Sequence, residues 1–171
     1  MPTPFDHPWY DTTVDQQYRD SVRAAMKSAA AMLSSADPPR WIVVVDQLYN
    51  WFEGFTARTR VVISEFATLD VDGEGFDAPA TTLLTGSQCE ALLELLDRTG
   101  PEDLADADER LSLEGSDFVV MVANSTDDWC EFAEFRLGGD LHVPAEVSLG
   151  NQIKNLLYSF RELLHQQAGK D

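Results

Sequence analysis

A chain of 171 residues with 44% apolar and 10% aromatic residues can bury a full core, and it is too apolar for a disordered protein. The formal net charge of −18, from 30 acidic and 12 basic residues, disfavours nucleic-acid backbones and anionic lipid as partners. No apolar run approaches the roughly 20 residues of a membrane-spanning helix, and no secretory signal is visible. A cytoplasmic protein without a membrane partner is therefore expected.

The N-terminal third predicts an arm and a helical hairpin. Prolines at positions 2, 4 and 8 exclude a regular element, so residues 1–12 are read as an arm and residues 13–171 as one acidic α+β domain. A capping-box pattern at Thr13 and apolar residues at helical spacing predict a first helix over residues 14–34.

The segment that follows is ambiguous between a helix and a strand. Asp37-Pro38-Pro39 is typical of a helix start, and apolar residues then recur on one helical face as far as Gly54. The β-branched run Ile42–Val45 instead favours a buried strand. We predict a helix here, because the helical period extends over four turns.

The middle of the chain predicts a strand, an acidic turn and a helix. Residues 60–71 have apolar positions on both sides of an extended chain, and residues 70–75 then indicate a loop. A short strand is predicted from Ala80 to Leu84. Ser87 and Glu90 form a capping-box pattern for the next helix, which Gly100-Pro101 should end. The apolar stripe of this helix is formed by Cys89, Leu92, Leu93 and Leu96.

The C-terminal third predicts strands and one long helix. An apolar run over 118–122 indicates a central strand, and residues 129–137 alternate as a second strand. Gly138-Gly139 predicts a hairpin turn into a short strand over 141–143, and residues 145–167 form the clearest amphipathic helix. The predicted fold is therefore α+β: a mostly antiparallel sheet packed against an N-terminal helical hairpin, a middle helix and a long C-terminal amphipathic helix.

No motif identifies a catalytic, cofactor-binding or metal-binding site. The segment Asp70, Asp72, Glu74, Gly75 resembles the opening of a calcium loop, but the twelfth position is Thr81, where a bidentate Glu is needed. Two cysteines in a chain of this length make no disulfide framework, so reduced thiols are expected. We therefore expect no cofactor and no bound metal.

The acidic charge is concentrated, and it suggests a partner. Residues 90–134 contain 14 acidic and 2 basic residues. Trp129 lies beside acidic residues, and interfaces favour a Trp within a polar rim. The candidate partner-binding residues are Trp129, Asp127, Asp128, Glu131, Glu134, Asp103, Asp106 and Asp108. They favour a non-catalytic module for a basic partner protein, such as an inhibitor, an immunity protein or a chaperone, and a homodimer is also compatible with the sequence.

Two alternatives stay open at this point. An enzyme or small-ligand-binding protein could assemble its site from distant residues, with His142, Glu131, Glu134 and Cys130 as first candidates, and Asp128, Glu131 and Glu134 could line one face of a hairpin. The acidity could also serve only solubility or life at high salt, since net charge bears on solubility and association rather than on the fold.

Overall fold

The structure is a computed structural model that describes residues 27–28, 31–48, 57–98, 116–125, 129–137 and 149–168. Within these ranges the chain forms six strands and two long helices, and residues 27–28 and 31–33 are also helical. In chain order the elements are β1 Trp41–Leu48, β2 Ala57–Ile63, β3 Ala67–Gly73, β4 Ala80–Leu83, α1 Gly86–Asp97, β5 Ser116–Asn124, β6 Trp129–Leu137 and α2 Leu149–Ala168.

The six strands form one antiparallel sheet in the order β4-β3-β2-β1-β5-β6. The α+β class and the antiparallel sheet are therefore as predicted. Within the described residues, no helix combines the length and the apolar character needed to cross a membrane.

The prediction of a second helix in the N-terminal hairpin is wrong, because residues 41–48 form strand β1. This strand lies between β2 and β5, and both of its faces are buried: Val43 and Val45 on one side, Ile42 and Val44 on the other. A strand buried on both faces has apolar residues at nearly every position, so its sequence also satisfies a helical period. The β-branched run decides for the strand, since it packs well on a pleated surface.

The single strand predicted over residues 60–71 is in fact a hairpin. Strands β2 and β3 are joined at Ser64-Glu65-Phe66, where the Ser64 N–H donates to the Phe66 carbonyl at 2.9 Å. The turn lacks Gly, Asn, Asp and Pro, so its sequence carries only the weak turn signal of Ser64. Because the pair Ile63↔Ala67 encloses three residues, odd positions on both strands still share one face. Val61, Ile63, Ala67 and Leu69 are therefore buried on one face, whereas Ser64 and Phe66 lie in the exposed turn.

One face of the sheet carries the main core and is covered by α1 and α2. We call it the helix-covered face. Leu92 and Leu96 of α1 and Ile153, Leu157 and Phe160 of α2 are buried against odd-numbered residues of β1, β2 and β3. The buried Leu positions of α1 are those predicted from the spacing. Helix α1 begins after β4 and ends at Asp97. The Asp97 carboxylate lies 3.2 Å from the guanidinium of Arg40, the residue that precedes β1. It therefore reaches from the sheet edge to its centre.

The N-cap of α1 lies two residues before the predicted one. Thr85 accepts a hydrogen bond from the Gln88 N–H at 3.2 Å, and the Gln88 side chain accepts from the Thr85 N–H at 2.9 Å. This reciprocal pair satisfies two amides that the first turn leaves without helical partners. Thr85 is the cap because β4 ends just before it and leaves its backbone extended.

Several predictions lie outside the described residues. They concern the arm over 1–12, the first helix before residue 27, the helix stop at Gly100-Pro101, and the turn and short strand over 138–143.

Candidate partner-binding surface

Strand β6 places three of the predicted site residues on the sheet. Its register pairs Trp129 with Asn124, Glu131 with Val122 and Glu134 with Val119. Residues directly opposite each other share a face, so positions 129 and 131 belong to the helix-covered face. Position 134 belongs to the opposite face. The expectation that Glu131 and Glu134 line one face is therefore wrong, because an odd spacing in a strand puts two positions on opposite sides.

The start of β6 and the end of α1 lie at the same end of the sheet. Trp129 pairs with Asn124, which pairs with Trp41, the residue after Arg40. Trp41 therefore lies about two strand spacings, roughly 10 Å, from the start of β6, and Arg40 before it contacts Asp97 at the end of α1. The remaining predicted residues, Asp103, Asp106, Asp108, Asp127 and Asp128, and the alternative candidate His142 lie outside the described residues.

Basic side chains in the described part of the chain largely face inward, and acidic ones face outward. Among the residues with described side chains, eight of eleven carboxylates are exposed, but only three of seven basic side chains are. The four inward basic residues are Arg58, Arg60, Lys154 and Arg161. The solvent-facing charge is therefore more one-sided than the composition of these segments suggests.

Helix α1 carries acids in places that do not favour a helix. Glu90 and Glu94 are exposed and four residues apart, a like-charge spacing that costs about 0.2–0.5 kcal/mol. Asp97 lies in the last turn, where the helix dipole favours a cation, and Arg40 offsets this at an exposed contact. Arg98, four residues after Glu94 and at the C-terminus of the helix, offsets part of this cost, so the three carboxylates have only a small net effect on helix stability.

The sheet face opposite the helices carries two rows of ion pairs. Arg58 donates to both carboxylate oxygens of the fully buried Asp46, each at 2.7 Å. Arg60 donates to Asp70 at 2.9 and 3.1 Å, and Thr81 donates to the other Asp70 oxygen at 2.7 Å. Direct cross-strand register makes both rows possible. A groove of about 270 Å³ lies over them.

The segment that resembles a calcium loop is part of the sheet. Asp70 and Asp72 belong to β3, and Asp70 is already engaged by Arg60 and Thr81. Asp72 accepts from the Gly73 N–H at 2.8 Å. Two glycines with φ near +90°, Gly73 and Gly75, make the turn that leaves β3. Among the described residues there is no group of three or more potential metal ligands.

A second groove, of about 400 Å³, lies between α2 and the turn after β3. Its polar lining comes from Gln47, Glu74, Tyr158, Arg161, Glu162 and His165. Tyr158 donates to Gln47 at 2.7 Å, and the His165 ring packs edge-on against Phe76 at 5.7 Å. The groove therefore brings together side chains from β1, the β3–β4 turn and α2, which lie far apart in the sequence.

Arg161 forms the floor of this groove and joins α2 to the sheet. It is 6% exposed and donates to the carbonyls of Arg58 and Asp72 at 2.9 Å and of Glu74 at 2.6 Å. It also lies over the Phe76 ring, 4.9 Å from its centre. Burial lowers the pKa of the Arg161 guanidinium, while Tyr158, Glu74 and Asp72 act to raise it. The side chain stays charged, because arginine begins from a very high pKa.

Lys154 is a second buried basic residue on α2. It is 5% exposed, and burial lowers the pKa of its ammonium from 10.5 to about 8. The positions 154, 158 and 161 follow helical spacing, so they form a polar ridge along the inner side of α2. The sequence indicated an apolar face here, and Lys154 and Arg161 were not identified because long basic side chains usually mark a solvent face.

The thiol of Cys89 is free and half-buried against the core, as its apolar-face position predicted. Two large apolar side chains near the β4 edge are instead exposed: Phe66 at 65% and Leu83 at 64%. Leu83 is the last residue of β4, and Phe66 lies in the β2–β3 turn. Exposed apolar residues of this size are a common feature of interaction sites when they cluster.

No family model matches this chain, and a search of curated proteins finds no match. The geometry of the described residues therefore carries the functional argument by itself.

Proposed function

We propose that this protein is a non-catalytic, acidic protein-binding module that holds a basic partner protein, as an inhibitor, an immunity protein or a chaperone does. The observation that carries the proposal is the orientation of charge. In the described residues, exposed carboxylates outnumber exposed basic side chains by eight to three, because most bases are used inside the fold. The exposed charge of these segments, eight negative and three positive, is therefore clearly anionic.

The acidic stretch over residues 90–134 supplies the recognition surface in this proposal. Glu90, Glu94 and Asp97 present exposed carboxylates along α1. Trp129, at the same end of the sheet as Asp97, supplies an aromatic anchor. The negative electrostatic potential of these carboxylates speeds the encounter with a basic protein surface and disfavours an acidic one.

The test is quantitative capture from the host lysate at two salt concentrations. Raising NaCl from about 50 mM to about 500 mM shortens the screening length from about 14 Å to about 4 Å. A basic protein enriched at the lower concentration and several-fold depleted at the higher one supports the proposal. Capture that recovers no basic protein, or one insensitive to salt, contradicts it.

A charge-matched pair of variants locates the surface. Glu90→Gln with Glu94→Gln removes two charges from α1, and Asp37→Asn with Glu162→Gln removes two exposed charges elsewhere. The α1 pair should weaken capture of the basic partner several-fold more than the control pair. Equal effects of the two double variants would show that only total charge matters.

The groove of about 400 Å³ beside Arg161 favours a second function, the binding of a small polar ligand. It combines two carboxylates, a His, a Tyr and an amide around a buried guanidinium, which is a typical mixture for such sites. A ligand screen by thermal shift tests it, with His165→Ala as the variant that should abolish any stabilisation. Compounds that stabilise the wild-type protein and the His165→Ala variant equally would exclude the groove as their binding site.

A further inference from the structure

We infer that the free edge of β4 binds an extended, basic segment of the partner, which adds to the sheet as a further strand. The inference rests on the proposed function, since it takes the partner to be basic. Among the residues that the structure describes, strand β4 ends the six-stranded sheet and pairs with β3 alone. Its other edge therefore presents backbone groups that a further strand can bind.

The hydrogen-bond pattern shows which groups these are. The Leu84 N–H donates to the Ala67 carbonyl at 2.9 Å, which continues the β3–β4 register by one residue. In an antiparallel ladder hydrogen-bonded pairs alternate, so Thr82 and Ala80 also point their backbone groups at β3. The N–H and C=O groups of Thr81 and Leu83 point away from it. The edge thus offers two donors and two acceptors at the spacing of a strand.

The side chains at this edge favour an apolar residue flanked by basic ones. Leu83 is 64% exposed, and Thr81 is exposed on the same face of the sheet. Exposed carboxylates flank the strand: Asp77 precedes it, and Glu65 lies in the turn next to the pair Ala67–Leu84. The strand itself, Ala80–Leu83, carries no charge and no proline, the residues that commonly block edge pairing. An added strand with an apolar centre would contact Leu83, and Lys or Arg near its ends would meet the carboxylates of Asp77 and Glu65.

The experiment uses a synthetic ten-residue peptide of alternating Thr and Val with Lys at both ends, titrated into the full chain at about 50 mM NaCl. Binding is measured by fluorescence anisotropy up to about 1 mM, and the site by amide NMR shifts. We expect saturable binding with the largest shifts at the Thr81 and Leu83 amides. The same peptide with N-methylated amides on alternate residues should bind about tenfold more weakly or worse, because it cannot donate to β4.

Two variants at one position separate the backbone from the side chain. Leu83→Pro removes the outward N–H without removing a bond to β3, which is where edge strands tolerate proline. Leu83→Thr removes the leucine side chain but keeps the N–H. Affinity should fall about tenfold or more in Leu83→Pro and about threefold or less in Leu83→Thr. If Leu83→Pro fails to fold, the N-methylated peptide still decides the question on the wild-type protein.

The outcomes separate this inference from the proposed function. Tight peptide binding that ignores both N-methylation and Leu83→Pro would overturn the edge site and leave the acidic surface as the binding element. No peptide binding at the highest concentration would also overturn the edge site, while the capture experiment judges the proposed function independently. Loss of binding in Glu65→Gln with Asp77→Asn, with a weaker salt dependence, would support the basic character of the added strand.

Discussion

Replacing Arg161 should destabilise the fold through lost geometry more than through lost charge. Its guanidinium donates to three backbone carbonyls at 2.6–2.9 Å and to the Thr59 hydroxyl at 3.3 Å. A hydrogen bond from a charged donor contributes about 1.5–3 kcal/mol. In Arg161→Met the three short bonds are lost, while the cost of burying the guanidinium disappears and water reaches the exposed end of Glu74. Three bonds at the lower limit sum to about 4.5 kcal/mol, and with these two offsets the net loss should be about 3 kcal/mol.

Arg161→Lys tests the shape of the guanidinium. A lysine keeps the positive charge but has three donors on one atom, so it cannot span acceptors on two strands and a turn. We expect a loss of at least about 2 kcal/mol in spite of the conserved charge. Arg60→Met is the matched control, because Arg60 is one-third exposed and has Asp70 as its one ion-pair partner among the described residues. Its loss should stay near 1 kcal/mol or below.

Urea unfolding measured by circular dichroism gives these free energies, and the slope with urea should not change among the variants. A loss of about 3 kcal/mol corresponds to a fall in Tm of roughly 6–12 °C for a chain of this length. Arg161→Lys within about 0.5 kcal/mol of wild type would refute the geometric argument, since charge alone would then hold α2 in place.

Three further perturbations have defined outcomes. Lys154 has a folded-state pKa of about 8, below the unfolded value of 10.5, so the unfolded chain binds more protons between these values. Stability should therefore rise by about 3 kcal/mol from pH 8 to pH 10.5 in wild type relative to Lys154→Met, and parallel urea curves would contradict this. Thr85→Ala should cost about 1 kcal/mol and Ser87→Ala close to nothing by thermal unfolding, and the reverse order would refute the observed cap. Gly75→Ala should cost about 1–2 kcal/mol, because its φ is +90° and a Cβ would lie 3.4 Å from the His165 ring, and an unchanged Tm would show that the turn adapts.

Strand β1 shows what the sequence pattern could and could not decide. Its apolar residues fit a helical face, yet they also fill both faces of a central strand, as Val43 and Ile42 do. Periodicity distinguishes elements only when one face is polar, and here none is polar before Asp46. From the sequence, Asp46 would be assigned to an exposed face. In the structure it is fully buried and paired with Arg58 from the neighbouring strand.

The elements with one polar side were predicted well. The spacing of Leu92 and Leu96 placed α1 on the core, and the alternation over residues 129–137 placed β6. The β2–β3 turn was missed because Ser64-Glu65-Phe66 contains none of the residues that force a chain reversal. The two grooves were missed for a different reason, since the polar residues of the first meet through strand register and those of the second through the packing of α2 on the sheet.

The candidate surface combines a feature that sequence reveals with one that only the fold reveals. The density of acidic residues over 90–134 is visible in the sequence. Which of these residues lie close together in space is not, because it depends on the fold. The register puts positions 131 and 134 on opposite faces, whereas it brings Trp129 to the end of the sheet where Asp97 lies. The charge that a partner meets also depends on what the fold uses internally. Arg58 and Arg60 pair with Asp46 and Asp70, which removes equal charge of both signs from the surface. Arg161 is instead buried against backbone carbonyls, so its positive charge does not offset the acids that face solvent. The acidity of the surface therefore follows mainly from the composition and to a smaller degree from the architecture.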